Sequence, residues 1–301
     1  MGIDVRIQNK KLFKKPLTVA EIKGKYVAGH MDDFYRFEEG IVEGANIIYD
    51  PEHIGRGFEF DWNNDLKNEI HLRLNFLSTI YDIKIFYECI KTIMTLWGAK
   101  SFEQDGTEVK LEYIDAAKES AIEYNKQYLE MQSDMEEKYA NLVILGAMNP
   151  IHLECEKIGE FVKNNDLEGY AALLHNLQKE DLYYAVPRIY RVNGKDFFGN
   201  YAVTANTDSI LPLKASEPPF LKNPDTGNDL KCAFFSVTLV SLEKEGPVGR
   251  MSFDDFAKAV DLESLPRYDM NHVILSGLSE ERIMELAGMP HVDPLTGEKA
   301  G

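Results

Sequence analysis

Residues 178–213, QKEDLYYAVPRIYRVNGKDFFGNYAVTANTDSILPL, constrain the fold more than any other stretch of the chain. Asn193-Gly194 stands between two aromatic and β-branched runs, and both residues tolerate the positive φ of a type I′ turn. A two-residue loop there predicts a β-hairpin with Val192 facing Lys195, Tyr190 facing Phe197, Val186 facing Tyr201 and Tyr184 facing Val203. Those residues, with Leu182, would form one apolar face. On the other face Arg191 would stand opposite Asp196 and Ile189 opposite Phe198. Pro187 would fall opposite Asn200, and its missing N–H predicts an edge strand.

A chain of 301 residues can bury a substantial core in one large or two smaller domains. Its apolar and charged fractions, 44% and 28%, are those of an ordinary globular protein. The formal charge of −17 disfavours nucleic acid and anionic membranes as partners, because both attract Lys and Arg. A basic protein is the partner such a charge suits, although acidity also serves solubility alone. Cys89, Cys155 and Cys232 are scattered and odd in number, which fits neither a disulfide framework nor a zinc site. The first fifteen residues lack the apolar centre of a signal peptide, so the cytoplasm is the expected location.

Hydrophobic periodicity supplies the other elements. Residues 3–7, 45–49, 58–62 and 70–76 alternate as strands. Ser78 or Thr79 caps a helix that runs to Trp97 with a wide apolar face, as expected of a helix laid on a sheet, and Gly98 ends it. Two short strands flank the Asp105-Gly106 turn. A long helix is expected over residues 114–142, where Ile114, Ala121, Tyr128, Met135 and Leu142 recur every seven residues. A seam built of Ala, Tyr and Met and broken by Lys138 favours packing on the protein's own body over a coiled coil. Short helices follow at 153–163 and 167–177, then the hairpin, a Pro-rich loop over 214–229 and a strand at 233–242. Helices capped by Ser252 and Ser279 flank a last strand at 272–275. The expected fold class is therefore α+β, with mixed, largely antiparallel sheets and packed helices. Asn149-Pro150 is the strongest break, dividing 1–149 from 150–288, with 289–301 as a tail. The similar order of elements in the halves suggests a duplication.

The catalytic and metal signatures fail on spacing. His152 and Glu156 stand four apart on an expected helix, but no third ligand is evident. Asp61, Asn63 and Asp65 open like a calcium loop, yet Leu66 and Leu72 occupy the places of its glycine and closing Glu. Gly55-Arg56-Gly57 is too short for a phosphate cradle and reads as a tight turn into a strand. No Gly-x-Ser-x-Gly elbow occurs. No metal or cofactor is expected.

Several segments together resemble a bacterial family of unknown function, domain-of-unknown-function family 4299. They are Gly55-Arg56-Gly57-Phe58-Glu59, Leu96-Trp97-Gly98, Glu103-Gln104-Asp105-Gly106, residues 178–184, Gly199-Asn200-Tyr201, Ile210-Leu211-Pro212 and Tyr268-Asp269. They span about residues 45–276. The resemblance implies no activity, since the family has no assigned reaction to carry over.

One segment stands out for recognition. Residues 30–52 carry seven carboxylates against Arg36 alone. Asp32, Asp33, Glu38 and Glu39 flank Phe34, Tyr35 and Phe37 there, so charge would steer a basic partner while the rings anchor it. The competing reading is an acidic loop whose aromatics turn into the core. The expected function is interaction or sequestration, in the manner of an immunity or antitoxin-like protein that covers a basic partner. The alternative is a small-molecule hydrolase or transferase with a site assembled from distant residues.

Overall fold

The computed structural model describes residues 1–63, 66–133, 141–180, 182–192, 196–218, 221–292 and 299–300. The chain divides into two compact units, Met1–Glu180 and Asp181–Gly301. The Asn149-Pro150 break falls inside the first unit. Among the described residues no helix is long and apolar enough to cross a membrane.

The first unit opens with β1 (Gly2–Gln8), α1 (Val19–Lys23), β2 (Val27–Met31), β3 (Phe37–Glu39), β4 (Gly44–Tyr49), β5 (Phe58–Trp62) and β6 (Glu69–Asn75). Next come α2 (Ile80–Trp97), β7 (Ser101–Gln104), β8 (Thr107–Lys110) and α3 (Ile114–Ser133). It closes with β9 (Asn141–Leu145), β10 (Pro150–Glu154), α4 (Cys155–Lys163) and α5 (Leu167–Gln178). Eight strands form one antiparallel sheet in the order β3-β2-β4-β5-β6-β1-β7-β8. Period-two alternation decides its faces. Ile3, Val5, Ile7, Phe58, Phe60, Ile70, Leu72 and Leu74 are buried in one cluster with Ile83, Phe86, Ile90 and Met94 of α2. Asp4, Arg6, Glu59, His71 and Arg73 occupy the intervening positions.

Helix α2 starts where Thr79 and Asp82 form a reciprocal capping box, and it ends at Gly98 in the left-handed region. Asp105 and Gly106, with φ of 50° and 79°, make the tight turn between β7 and β8. Helix α3 packs on the unit through Ile114, Ala121, Asn125 and Leu129, while Tyr124 and Met131 are exposed. The helix does not continue to Leu142. That residue belongs to β9, which pairs with β10 around the turn at residues 146–149. Residues 134–140, including Met135 and Lys138, lie outside the described residues. His152 falls on β10 and Glu156 on α4, so they do not share a helix face.

The second unit contains β11 (Tyr183–Tyr184), β12 (Arg188–Val192), β13 (Asp196–Thr204), β14 (Ser209–Pro212), β15 (Cys232–Ser241), β16 (Gly246–Ser252) and α6 (Phe253–Ala259). It continues with β17 (His272–Leu275), α7 (Glu280–Gly288), β18 (His291–Val292) and β19 (Lys299–Ala300). One sheet runs β12-β13-β15-β16 and another β11-β14-β17, each with one parallel pair. Tyr201, Val203, Val237, Leu239 and Met251 form a core with Phe253, Phe256, Ile283 and Leu286. These four- and three-stranded sheets do not repeat the eight-stranded antiparallel sheet of the first unit, despite the similar order of elements.

The hairpin forms with a corrected register. Val192 pairs with Asp196, Tyr190 with Phe198 and Arg188 with Asn200, one residue away from the expected alignment. Three residues rather than two therefore separate the paired ends, and such a slip exchanges faces. Tyr190 stacks on Phe198 at 5.1 Å between centroids. Asn193 and Gly194 themselves lie outside the described residues. Tyr184 leaves the hairpin altogether, pairing in parallel with β14 instead of facing Val203. Pro187 stands between the two pairings, and β12 is an edge strand of its sheet.

Ile90 is fully buried between α2 and the first sheet. Ile90→Ala is expected to cost about 2–5 kcal/mol in urea denaturation. A change below about 0.5 kcal/mol would show that this helix face does not carry the core.

Candidate functional site

The tight turn at Gly55-Arg56-Gly57 is pinned from several directions. The Asp82 carboxylate, already part of the α2 cap, accepts the backbone N–H of Arg56 at 3.0 Å and of Gly57 at 2.8 Å. A Cβ at position 55 would collide with that carboxylate, and Gly57 has φ of 67°. Gln178 donates from Nε2 to the Gly55 carbonyl at 2.9 Å and accepts from Met148 N at 2.9 Å. Ile54 N donates to His175 Nδ1 at 3.0 Å. Burial pushes the Asp82 carboxyl upward against the opposing effect of its donors.

This anchoring directs the half-buried Arg56 side chain toward β9. Its Nε donates to Leu145 O at 3.0 Å and its Nη1 to Phe76 O. Among the described residues no carboxylate lies within 4 Å of the guanidinium. Burial lowers its pKa, while Asp82 and Glu59 oppose the shift. Arginine stays charged under all ordinary conditions.

Arg56 lines a cavity of about 250 Å3. Ile47, Glu59 and Asn75 contribute from β4, β5 and β6, on the side of the sheet away from α2, and Leu145 from β9. Met31 and Tyr35 contribute from β2 and the turn after it. Glu59 Oε1 accepts from Asn75 Nδ2 at 2.6 Å, and Asn75 Oδ1 accepts from Arg73 Nε at 3.1 Å. Asn46 also lines the cavity, but its amide is spent on Val42 and Gly44.

The turn between β2 and β3 holds the residues singled out for recognition. Asp32 organises it, accepting from Phe34 N at 2.8 Å, Arg36 N at 2.9 Å and the Arg36 guanidinium at 2.7 Å. Tyr35 has φ of 61°, which is uncommon for a bulky aromatic residue. Phe34 lies under the Arg36 guanidinium, and Phe37 meets Tyr49 edge-on at 5.2 Å. Phe34, Tyr35 and Phe37 are all half-buried, whereas Asp33, Glu38 and Glu39 are exposed. Glu38 lies 3.4 Å from His30 Nε2. The expected residues thus fall into two groups, an exposed acidic trio and a turn that brings Tyr35 to the pocket wall. Arg56, Glu59 and Asn75 were not expected in a site. Gly55-Arg56-Gly57 was the available signal, but it discloses a turn and not the direction of the side chain inside it.

A polar groove of about 480 Å3 lies across β1, β5, β6 and β7. Its charges are largely matched to one another: Arg73 binds Asp4 at 2.7 Å, and His71 lies 2.6 Å from Glu69 just beside it. That His71 bond holds the Glu69 carboxyl below its usual range. Cross-strand pairs of this kind are ordinary on a solvated sheet face.

The second unit buries a carboxylate–imidazole–phenol chain. Asp269 Oδ1 lies 2.8 Å from His272 Nδ1, and His272 Nε2 lies 3.1 Å from the Tyr184 hydroxyl. Tyr184 and His272 stand on β11 and β17, which flank β14, so the chain ties the small sheet together. None of the described cavities is lined by these residues. Burial also pushes the Cys89 thiol up to about 12, which removes it as a thiolate. Among the described residues no group of three or more His, Cys, Asp and Glu is placed to hold a metal ion.

Fold and site define a mixed α+β protein whose first unit opens a small, charged and partly apolar pocket. The chain belongs to the family described as Domain of unknown function (DUF4299), whose model matches residues 2–286. No curated protein matches it, and no solved structure does. The segments that carry the family resemblance gather at two places. Residues 55–59 and Gln178 build and clamp the pocket turn, while Tyr184, Ile210–Pro212 and Tyr268-Asp269 surround the buried chain of the second unit.

Asp82→Asn replaces one of two acceptor oxygens with a donor that faces N–H groups. It is expected to destabilise the protein by on the order of 3 kcal/mol in denaturant titrations at neutral pH. An unchanged midpoint would mean that the turn does not depend on this carboxylate.

Proposed function

We propose that this protein is a binding protein whose first unit takes a small, anion-bearing molecule into the Arg56 pocket. One observation carries the reading: a half-buried guanidinium, steadied by two main-chain carbonyls, lines a pocket without an ion-pair partner among the described residues. Buried charges are normally paired, and the planar fork of arginine matches a carboxylate or phosphate in two parallel hydrogen bonds. The apolar walls weaken competition from water and strengthen the attraction. Short straight-chain carboxylates from acetate to hexanoate, followed by calorimetry, test this. Affinity should rise with chain length in the native protein, fall in Arg56→Lys and vanish in Arg56→Gln. Equal responses in the native and Arg56→Gln proteins would refute it.

A second reading rests on the exposed trio Asp33, Glu38 and Glu39 beside the pocket. These carboxylates suit the face of an interaction or sequestration protein that covers a basic partner, with charge acting mainly on the association rate. Asp32 is excluded from that role, because its carboxylate is used up within the turn. With a basic partner obtained by affinity capture, Asp33→Asn, Glu38→Gln and Glu39→Gln together should slow association, most at low salt where screening is weakest. An unaltered rate and salt dependence would remove this face from recognition.

A further inference from the structure

We infer that the pocket selects a zwitterion: a small molecule with a carboxylate for Arg56, an ammonium group for Glu59 and an apolar substituent for the walls. This rests on the reading of the pocket as a ligand site and goes on to name the ligand's class. Arg56 and Glu59 line the same cavity, yet they do not collapse into an ion pair within 4 Å. Each is held in place by neutral partners. Arg56 is fixed by the carbonyls of Leu145 and Phe76, and Glu59 by the amide of Asn75. Asn75 is itself fixed by Arg73, which is anchored on Asp4. The two charges are therefore kept apart by the scaffold rather than by their own contact.

Such an arrangement discriminates by charge pattern. A simple anion gains Arg56 but meets the field of Glu59, and a simple cation meets the reverse. A molecule with both charges gains from each end, because each of its groups completes a side chain whose other contacts are neutral. Among the described residues only one oxygen of Glu59 is occupied, by Asn75, so Oε2 is left to accept from an ammonium group. Met31, Ala45, Ile47 and Leu145 supply apolar side chains to the lining. A volume of about 250 Å3 lies below the roughly 300–1,000 Å3 of drug-sized sites, which suits a molecule of amino-acid size and excludes nucleotides.

The test uses the full chain and three probes measured by calorimetry: L-leucine, N-acetyl-L-leucine without the ammonium charge, and L-leucinamide without the carboxylate. Leucine is expected to bind at least about tenfold more tightly than either half-charged probe, the size of one lost charge-assisted hydrogen bond. Glu59→Gln, isosteric and still an acceptor for Asn75, should bring leucine and N-acetyl-leucine within about threefold of each other. Arg56→Gln should lose both. If N-acetyl-leucine matches leucine on the native protein, the zwitterion is refuted while the anion site stands. If no carboxylate-bearing probe binds the native protein, the anion site falls and the zwitterion with it. The comparison of probes on the native chain needs no variant, so a folding defect in either mutant leaves the question decidable.

Discussion

The first unit depends on one carboxylate. Asp82 caps the helix that covers the sheet through Oδ2, and the same carboxylate receives the N–H groups of the turn entering β5. A helix N-terminus favours negative charge because its first N–H groups lack partners, and here that preference also organises a segment from elsewhere in the chain. The arrangement requires glycine at 55, because any side chain would occupy the space of the carboxylate. Core and pocket are therefore coupled: the group that starts the central helix also sets the backbone from which Arg56 departs.

The pocket gains its character from separation of charge. Opposite charges on a protein surface usually pair, with little net gain once desolvation and side-chain entropy are counted. Arg56 and Glu59 instead face a shared apolar space, each steadied by carbonyl or amide groups that do not cancel its charge. That is preorganisation in the sense used for binding sites: the orientation of the polar groups is established before the ligand arrives, so less is lost on association. The exposed carboxylates Asp33, Glu38 and Glu39 lie outside this cavity.

Much of the fold was legible in the residues. Alternation placed β1, β4, β5 and β6, and the caps at Thr79, Ser252 and Ser279 all form as local chemistry dictates. Local signals failed where the outcome depends on distant partners. The heptad spacing carried the α3 helix into Leu142, but β-pairing with residues 150–154 claims that segment. The hairpin slipped by one residue because strand alternation alone does not separate a two-residue connection from a three-residue one. The acidic segment was visible as a count of charges, yet the sequence does not reveal that Asp32 closes its own turn while Asp33 faces solvent. Arg56 was hidden for a similar reason. Its destination is two main-chain carbonyls, and carbonyls leave no mark in the sequence.

The eight-stranded sheet ends in two border strands, and both are guarded. A border strand offers unpaired backbone groups to any passing extended chain, which is a common route to aggregation. Strand β3 is only three residues long and carries Glu38 and Glu39, and β8 sets Glu108 and Lys110 along the other margin. An incoming strand would find little ladder to extend and would meet charge at either end. The acidity of the β2–β3 turn thus has a second consequence, independent of any ligand: it helps the sheet end at eight strands when many copies of the chain are crowded together.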